Sequence, residues 1–437
     1  GGAADKPQSK AKSSSSSGQS SLLSRPPKPG NVKYRADVSG GVVISAFDRN
    51  GWMTTDSDDW NVGWFNVNNI RAMFHPDSGV RLGDYQMVNH FPNHWELTRK
   101  DTMVKNIKRY MRETGKDADS DPIDRYIPVT YSLPADYNMF VEEFKRNPSA
   151  MWIMKPTNLA QGKGIFIITK LSQIKKWSQN PRWANAPPTR ASYIISRYIE
   201  NPLLVGGKKF DLRLYILVTS YRPLRAYECI HGFARFCNAK YTSDIGELDN
   251  PFIHLTNVAI QKHNEDYNSA HGGKWHVRDL RTYLEATRGI EATDRLFSQM
   301  NQLIIHSLLA CQNVIMNDRH CYECYGYDLL IDDDLKPWLV EVNASPSLST
   351  TTKSDRIMKQ NLMSDIFKIV VPQDSWTEWR GAVHSGPCKA TGSFVVLYDE
   401  AAEDEKRKNG GAGGGAGSSG AGEDDPLRGS ARSSLGK

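Results

Sequence analysis

The sequence predicts an α+β fold, and three observations carry that prediction. From Met151 to Pro372, short apolar runs of strand character are mixed with amphipathic stretches of helical period. The order suits an α+β architecture better than a doubly wound sheet, in which strand and helix alternate strictly. The chain's 437 residues, 39% of them hydrophobic, can hold two or three domains around an ample core.

The elements follow in order. Residues 1–36 are rich in Ser, Lys, Gly and Pro and are expected to be disordered. Order is expected to begin near Tyr34, with Gly41–Phe47 (GVVISAF) as a β-like run. Residues 37–148 read as an aromatic-rich N-terminal domain. It contains WNVGWFNV, the basic helix-like stretch Arg99–Arg112, and a helix over Asp136–Arg146 with Phe140, Val141 and Phe144 on one face. Residues 149–372 form the core. MWIMK, GIFIIT, SYIISRYI, DLRLYILVTS, LRAYECI, GYDLLI and PWLVEV are its expected strands; LSQIKKWSQ, Val277–Arg288, Arg295–Asn313 and Arg356–Ile369 are its expected helices. Residues 373–399 read as a C-terminal extension, and 400–437, with NGGAGGGAGSSGAG, as a flexible low-complexity tail.

Bulk properties narrow the function. A net charge of +6 suits an acidic partner surface without pointing to nucleic acid. No apolar run of membrane-spanning length and no secretory leader pattern are seen, so neither membrane insertion nor secretion is expected. Six cysteines without framework spacing fit a reduced, cytoplasmic setting, and Cys321 and Cys324 form a lone CxxC.

The most informative segment is Tyr325–Asn343, YGYDLLIDDDLKPWLVEVN. Two apolar runs flank the polar turn Asp333–Lys336 and read as a β-hairpin. If Asp332 and Pro337 close the turn, Asp328 lies opposite Glu341, and Asn343 leaves the same face as Glu341. The three would converge as hard oxygen ligands of the type that holds Mg2+ against nucleotide phosphates. Polar residues on the outer face of a solvated hairpin are the alternative. The apolar character of both strands and a matching set of basic and glycine-rich elements upstream favour the site.

Those elements are individually modest. Lys155 ends the strand WIMKP, a position from which an ammonium can meet phosphates. Gln161–Ile165 (QGKGI) follows, with Gly162 in a loop able to approach phosphates closely or simply to turn the chain. Ser196, Arg197, Tyr198 and Ile199 end an apolar strand. In KFDLRLY, Lys209, Asp211 and Arg213 share one face, and Phe210, Leu212 and Leu214 share the other. Arg213 carries a bidentate fork suited to phosphate or carboxylate. Arg235 sits between aromatics in GFARF, where shielding from water strengthens a carboxylate contact. Thr256 and Asn257 offer small polar groups for ribose or phosphate, and Lys262, Lys274 and His254 add basic or titratable groups. His90 and His94 lack the HExxH form, and neither a GxSxG elbow nor a kinase motif set is present.

Together these motifs resemble the tubulin–tyrosine-ligase-like family of ATP-grasp amino-acid ligases. The matching pieces are NHF…ELTRKD, WIMKP, QGKGIF, ISRYI, GGKKFDLRLYILV, GFARF, HLTNVAIQKH, GYDLLID and WLVEVNASPSL, in order from about residue 40 to 372. The short tubulin polyglutamylases are the most similar branch. The resemblance implies that Lys155, Gln161, Gly162, Ser196–Ile199, Lys209, Phe210, Asp211, Thr256 and Asn257 surround ATP. It implies that Asp328, Glu341 and Asn343 hold Mg2+, and that Arg235, with Gln161 and Lys274, meets free L-glutamate. Lys155, Arg213, Arg235 and Glu341 would serve the chemistry. Glutamylating members carry an arginine at the Arg235 position, which favours glutamate over glycine or tyrosine. Some chain-elongating relatives have histidine where this chain has Ala344, which points towards chain initiation, or elongation by another route.

The implied reaction phosphorylates a tubulin-tail γ-carboxylate and lets the α-amino group of glutamate attack the acylphosphate. Lys and Arg side chains stabilise the phosphoryl charge, and a closed site excludes water. The stretch Arg99–Arg112 either attracts the acidic tail or is a solvated helix face. The family implies tubulin as partner and a cytoskeletal, ciliary or basal-body setting; accessory subunits are expected from the short architecture. A non-catalytic scaffold and a glycine ligase are the alternatives; the presence of Lys155, Glu341 and Asn343 speaks against the first and Arg235 against the second.

Overall fold

The computed structural model describes residues 31–114, 123–157, 159, 161–178, 192–265, 267–268, 272–371 and 387–410. The mixture of helix and sheet is α+β. The Ser/Lys-rich segment through residue 30 and the Gly-rich segment beyond 410 lie outside the described residues.

The chain opens with a parallel sheet of β1 (Lys33–Ala36), β2 (Met53–Thr54), β3 (Val62–Trp64) and β4 (Met87–Val88), in the order β2-β1-β3-β4. β1 thus falls inside the segment 1–36 that was expected to be disordered. Gly41–Phe47 is a second correction: Gly41–Arg49 is a helix. Its buried residues are Val42, Val43, Ala46 and Phe47, adjacent pairs four apart, which is a helical stripe and not the alternation of a strand. The β-branched run biased the local reading, and packing overrode it. Phe47 stacks between Tyr34, with ring centroids 4.3 Å apart, and Phe367, at 4.9 Å. The N-terminal aromatics therefore share one core with the later helix Lys353–Val370.

A second, antiparallel sheet contains β5 (Thr130–Leu133), β6 (Trp152–Pro156), β7 (Phe166–Ile168) and β8 (Tyr193–Arg197), in the order β5-β8-β6-β7. The helix Tyr137–Arg146 buries Phe140 and Phe144 against it, with Phe140 edge-on to Trp152 at 5.1 Å; Val141 packs at the margin. β5 and this helix precede residue 149 but are hydrogen-bonded or packed into the same sheet as β6–β8.

The largest sheet is built on β10 (Lys208–Tyr221), entered through the short β9 (Leu204–Val205). β11 (Leu224–Cys229) pairs with the second half of β10, and β12 (Phe233–Phe236) with its first half. β13 (Lys274–His276) extends β12. β14 (Glu323–Ile331) pairs along the other side of β10 and turns into β15 (Pro337–Asn343). The outermost strand, β16 (Phe394–Asp399), is added by the C-terminal extension alongside β11. The helix Glu400–Gly410 follows at once, and Glu400 Oε2 accepts from Leu224 N and Gln312 Nε2, both at 2.6 Å. The first residues of the expected flexible tail are therefore folded.

Period two along β10 positions the site. Leu212, Leu214, Ile216 and Val218 enter the core under the helices Val277–Arg288 and Ile290–Gln312. On the opposite face, Tyr215 and Leu217 pack under the helix Lys353–Val370. The polar members of that face, Lys209, Asp211 and Arg213, lie at the strand's other end, and Lys209 and Asp211 line a cleft shared with the second sheet. Among the described residues no helix is long and apolar enough to cross a membrane.

Candidate active site

The β14–β15 hairpin brings the expected trio together. Asp328 pairs with Glu341 and Gly326 with Asn343. The turn is tighter than the sequence implied, because Asp332 N donates to Lys336 O at 3.0 Å. Asp332 also holds the turn with its carboxylate, which accepts from Lys336 N at 2.9 Å and Trp338 Nε1 at 2.8 Å. A register shift between Asp328 and Leu329 then restores the expected pairing. Asn343 Nδ2 lies 3.3 Å from Glu341 Oε1 and 3.5 Å from Asp328 Oδ2. Two carboxylates and one amide fit a hard cation that keeps water and phosphate oxygens among its ligands. Among the described residues there is no cluster of three His, Cys, Asp or Glu for a metal, so a cation here would depend on Asn343 and on oxygens from outside the protein.

Asp328 also anchors a buried charge network. Arg213 forks onto it, Nε to Oδ1 at 2.5 Å and Nη2 to Oδ2 at 3.0 Å. Arg235, opposite Asp211 in the β10–β12 register, forks onto Asp211 at 2.8 and 2.5 Å and reaches Asp328 Oδ2 at 3.0 Å. Burial works against the Asp328 carboxylate, but the two guanidiniums outweigh it and hold its carboxyl well below the usual range. Burial, aided by Asp328, pushes Asp211 up against the pull of Arg235. Both arginine forks are therefore engaged by carboxylates of the protein itself.

The cleft lies between the second sheet and the hairpin. It is lined by Lys155, Gln161, Gly162, Ser196, Arg197, Tyr198, Ile199, Lys209, Asp211, Thr256, Asn257, Asp328 and Glu341. Gln161 and Gly162 take left-handed backbone angles, φ +63° and +78°. A Cβ on Gly162 would come within 2.4 Å of Ile260 Cδ1 and 3.0 Å of Asn257 Oδ1, so the loop approaches that residue as closely as glycine permits. Burial pulls the Lys155 ammonium down to about 8 against the attraction of Glu341, with Lys100 and Lys209 acting in the same direction as burial. Lys209 Nζ donates to Tyr198 Oη at 2.9 Å and sits 4.5 Å over its ring. Tyr198 Oη in turn meets His254 Nδ1 at 2.9 Å, and His254 Nε2 meets Glu247 O at 3.0 Å. His254 thus orders the cleft wall through Tyr198. Ser196 is engaged with Thr130 at 2.9 Å between their hydroxyls.

Some expected residues lie elsewhere. Phe210 points into the core, its ring 5.3 Å from Phe236, so its side chain is outside the cleft. Lys274 is opposite Arg235 in the β12–β13 register but bonds to Asp355 Oδ2 at 3.0 Å. Lys262 is exposed at the end of the short helix Val258–Gln261. All six cysteines are free, including Cys321 and Cys324.

The residue missed as a site member is Lys100. It begins the helix Lys100–Thr114, lines the cleft, and places Nζ 2.8 Å from Glu341 Oε2. The basic stretch was visible in the sequence, but nothing local showed that one of its lysines turns inward. Lys108, on the same helix, caps Thr130 O at 2.9 Å and Arg109 caps Ala310 O at 3.0 Å.

Lys100, Lys155 and Lys209 thus line the same cleft as Asp211, Asp328 and Glu341. A model of the tubulin-tyrosine ligase family matches residues 79–378, and the chain belongs to that family. It is 49% identical over 388 residues to the probable alpha-tubulin polyglutamylase Ttll1 of Tetrahymena thermophila, covering 85% of this chain and 94% of that one. It is 42% identical to the probable tubulin polyglutamylase TTLL9 of Mus musculus, covering 84% of each. Against the tubulin polyglutamylase TTLL5 of Homo sapiens identity is 36%, over 72% of this chain and 24% of that one.

Proposed function

We propose that this protein is an ATP-dependent tubulin polyglutamylase with an ATP-grasp arrangement of its second and third sheets. It joins free L-glutamate to γ-carboxylates of glutamates in tubulin C-terminal tails. The observation that carries this reading is the meeting of Asp328, Glu341 and Asn343 with Lys100 at the inner end of the cleft, in a chain whose relatives are named as polyglutamylases.

In this reading Lys155, Gln161, Gly162, Ser196–Ile199, Lys209, Asp211, Thr256 and Asn257 surround ATP. Asp328, Glu341 and Asn343 hold Mg2+, which when bound neutralises phosphate charge. Lys100 and Lys155 face the transferring phosphoryl group and stabilise its charge. Arg235 binds a carboxylate of the incoming glutamate by exchanging part of its contact with Asp211 or Asp328; Gln161 lines the cleft, whereas Lys274 is paired with Asp355. The acceptor γ-carboxylate attacks the γ-phosphorus of ATP, ADP leaves, and an acylphosphate forms. The α-amino nitrogen of glutamate then attacks the acyl carbon, phosphate leaves, and the amine gives up its proton. No side-chain nucleophile is required. The protein's setting is then the cytoplasmic cytoskeleton, with cilium or flagellum and basal body as the specific sites and accessory subunits as partners.

The test is mass spectrometry of microtubules incubated with the protein, Mg-ATP and glutamate. Tail peptides gain whole glutamate residues with the native chain and gain none with Glu341→Gln. A folded, ATP-binding protein that leaves tails unchanged, alone or with ciliary extract, overturns the reading.

A further inference from the structure

Behind the hairpin lies a second cavity, of about 390 Å3, separate from the cleft. Its size falls within the roughly 300–1,000 Å3 typical of ligand pockets. The wall nearest the trio is the loop 344–349, which continues directly from Asn343. That loop lies across Gly326: a Cβ there would come 2.8 Å from Pro346 Cβ and 3.3 Å from Arg213 Cδ. One loop therefore separates the cavity from the Arg213–Asp328 pair.

The wall is amphipathic. Trp64, Leu362 and Met363 supply apolar surface. The Tyr322 hydroxyl is buried with no hydrogen-bond partner among the described residues, a costly state for a polar group. His90, 4% exposed, is oriented by the fully buried Glu323, Nδ1 to Oε1 at 2.8 Å, and Phe91 N takes the other oxygen at 3.1 Å. That leaves His90 Nε2, among the described residues, with only a long contact, 3.5 Å, to Ser345 Oγ. Two buried polar tips thus lack good partners beside apolar surface.

Charge decides what the cavity takes. No lysine or arginine is among its described lining residues. Its one aspartate, Asp37, is already engaged with Asn66 and Asn69 at 2.7 to 2.9 Å. Across the loop, Arg213, Lys274 and Lys359 are gathered with Asp328 and Asp355. An acidic side chain is favoured near the cations and disfavoured in the cavity.

We propose that this cavity is an acceptor-side subsite for a neutral side chain, aliphatic or aromatic, flanking the modified glutamate in the acidic acceptor polypeptide. The inference rests on the polyglutamylase reading for the identity of the acceptor. The cavity then sets which glutamate of a tail is modified.

The experiment uses the full chain and glutamate-rich peptides that differ at one flanking position, carrying Leu, Tyr, Gly or Glu. Binding is read by fluorescence anisotropy, which needs no turnover, and ligation by mass spectrometry. The Leu or Tyr peptide binds about tenfold tighter than the Gly and Glu peptides. Met363→Trp, which fills the cavity, brings that ratio to about one. Ser347→Trp, on the exposed part of the loop, does the same without altering the core. Equal binding of all four peptides, tightest binding of the Glu peptide, or an unchanged ratio in both folded variants overturns the proposal. Preferential binding without ligation leaves the subsite standing and removes the polyglutamylase reading.

Discussion

The Lys100 ammonium lies 2.8 Å from the Glu341 carboxylate, joining the first residue of an N-terminal helix to the hairpin that ends the core. Both side chains are largely shielded, at 11% and 18% exposure. Under the proposed function, a cation so placed meets phosphate oxygens beside the Glu341 carboxylate. Lys100→Met is expected to lower kcat/KM for ATP by about 10²-fold, the scale of losing one preorganised charge donor. Lys100→Arg recovers part of it. Steady-state ligation with a thermal melt beside it checks this; full activity in a folded Lys100→Met protein refutes it.

Lys155 gives a pH prediction with two opposite signs. Its ammonium is pulled from 10.5 to about 8 by burial. The free protein therefore loses this charge as pH rises through about 8, and nucleotide affinity is expected to fall from pH 7.5 to 9.5. Between about 8 and 10.5 the unfolded chain binds the proton that the folded one has released. This residue's contribution to stability therefore rises with pH across that window. ATP titrations and denaturant melts at both ends of the range test the pair of signs. Lys155→Met removes both trends.

The Arg235–Asp211 fork is nearly out of water, each side chain being 9% exposed. Arg235→Ala strands a buried carboxylate and is expected to cost about 3–5 kcal/mol. The double variant Arg235→Met, Asp211→Asn recovers much of that stability but not glutamate use. Urea melts of the two proteins, combined with ligation assays, separate the structural role from the substrate role. Equal stability of the two variants would contradict the pairing.

At Gly162 the backbone is left-handed, at φ +78°, and a methyl group would press on Ile260 and Asn257. Gly162→Ala is expected to cost about 1 kcal/mol or more in stability through strain. The KM for ATP is expected to rise about tenfold as the loop withdraws. The same substitution at Gly246, which has open space around its Cβ position, leaves KM unchanged.

Much of the site was legible because β-structure has period two. The spacing of Lys209, Asp211 and Arg213 fixed their common face, and that of Glu341 and Asn343 fixed theirs. Strand-end position singled out Lys155 only weakly, until the glycine-bearing loop at Gln161–Gly164 was read beside it. Local pattern failed where a distant partner decides. GVVISAF reads as a strand until Phe367 stacks on Phe47. β16 and its following helix are held by Leu224 and Gln312, far away in sequence. The inward turn of Lys100 depends on Glu341, 241 positions later.

The sequence by itself determined the class of fold, the family and the acid–amide trio, because these follow from alternation, residue chemistry and motif order. Tertiary structure alone decided how those groups are engaged. It closed the hairpin one residue early and restored the register with a bulge, so that Asp328 still meets Glu341. It also set Arg213 and Arg235 on Asp328 and Asp211, and opened a second cavity behind the loop. Such pairings depend on side chains brought together across strands and sheets, and no local spacing encodes them.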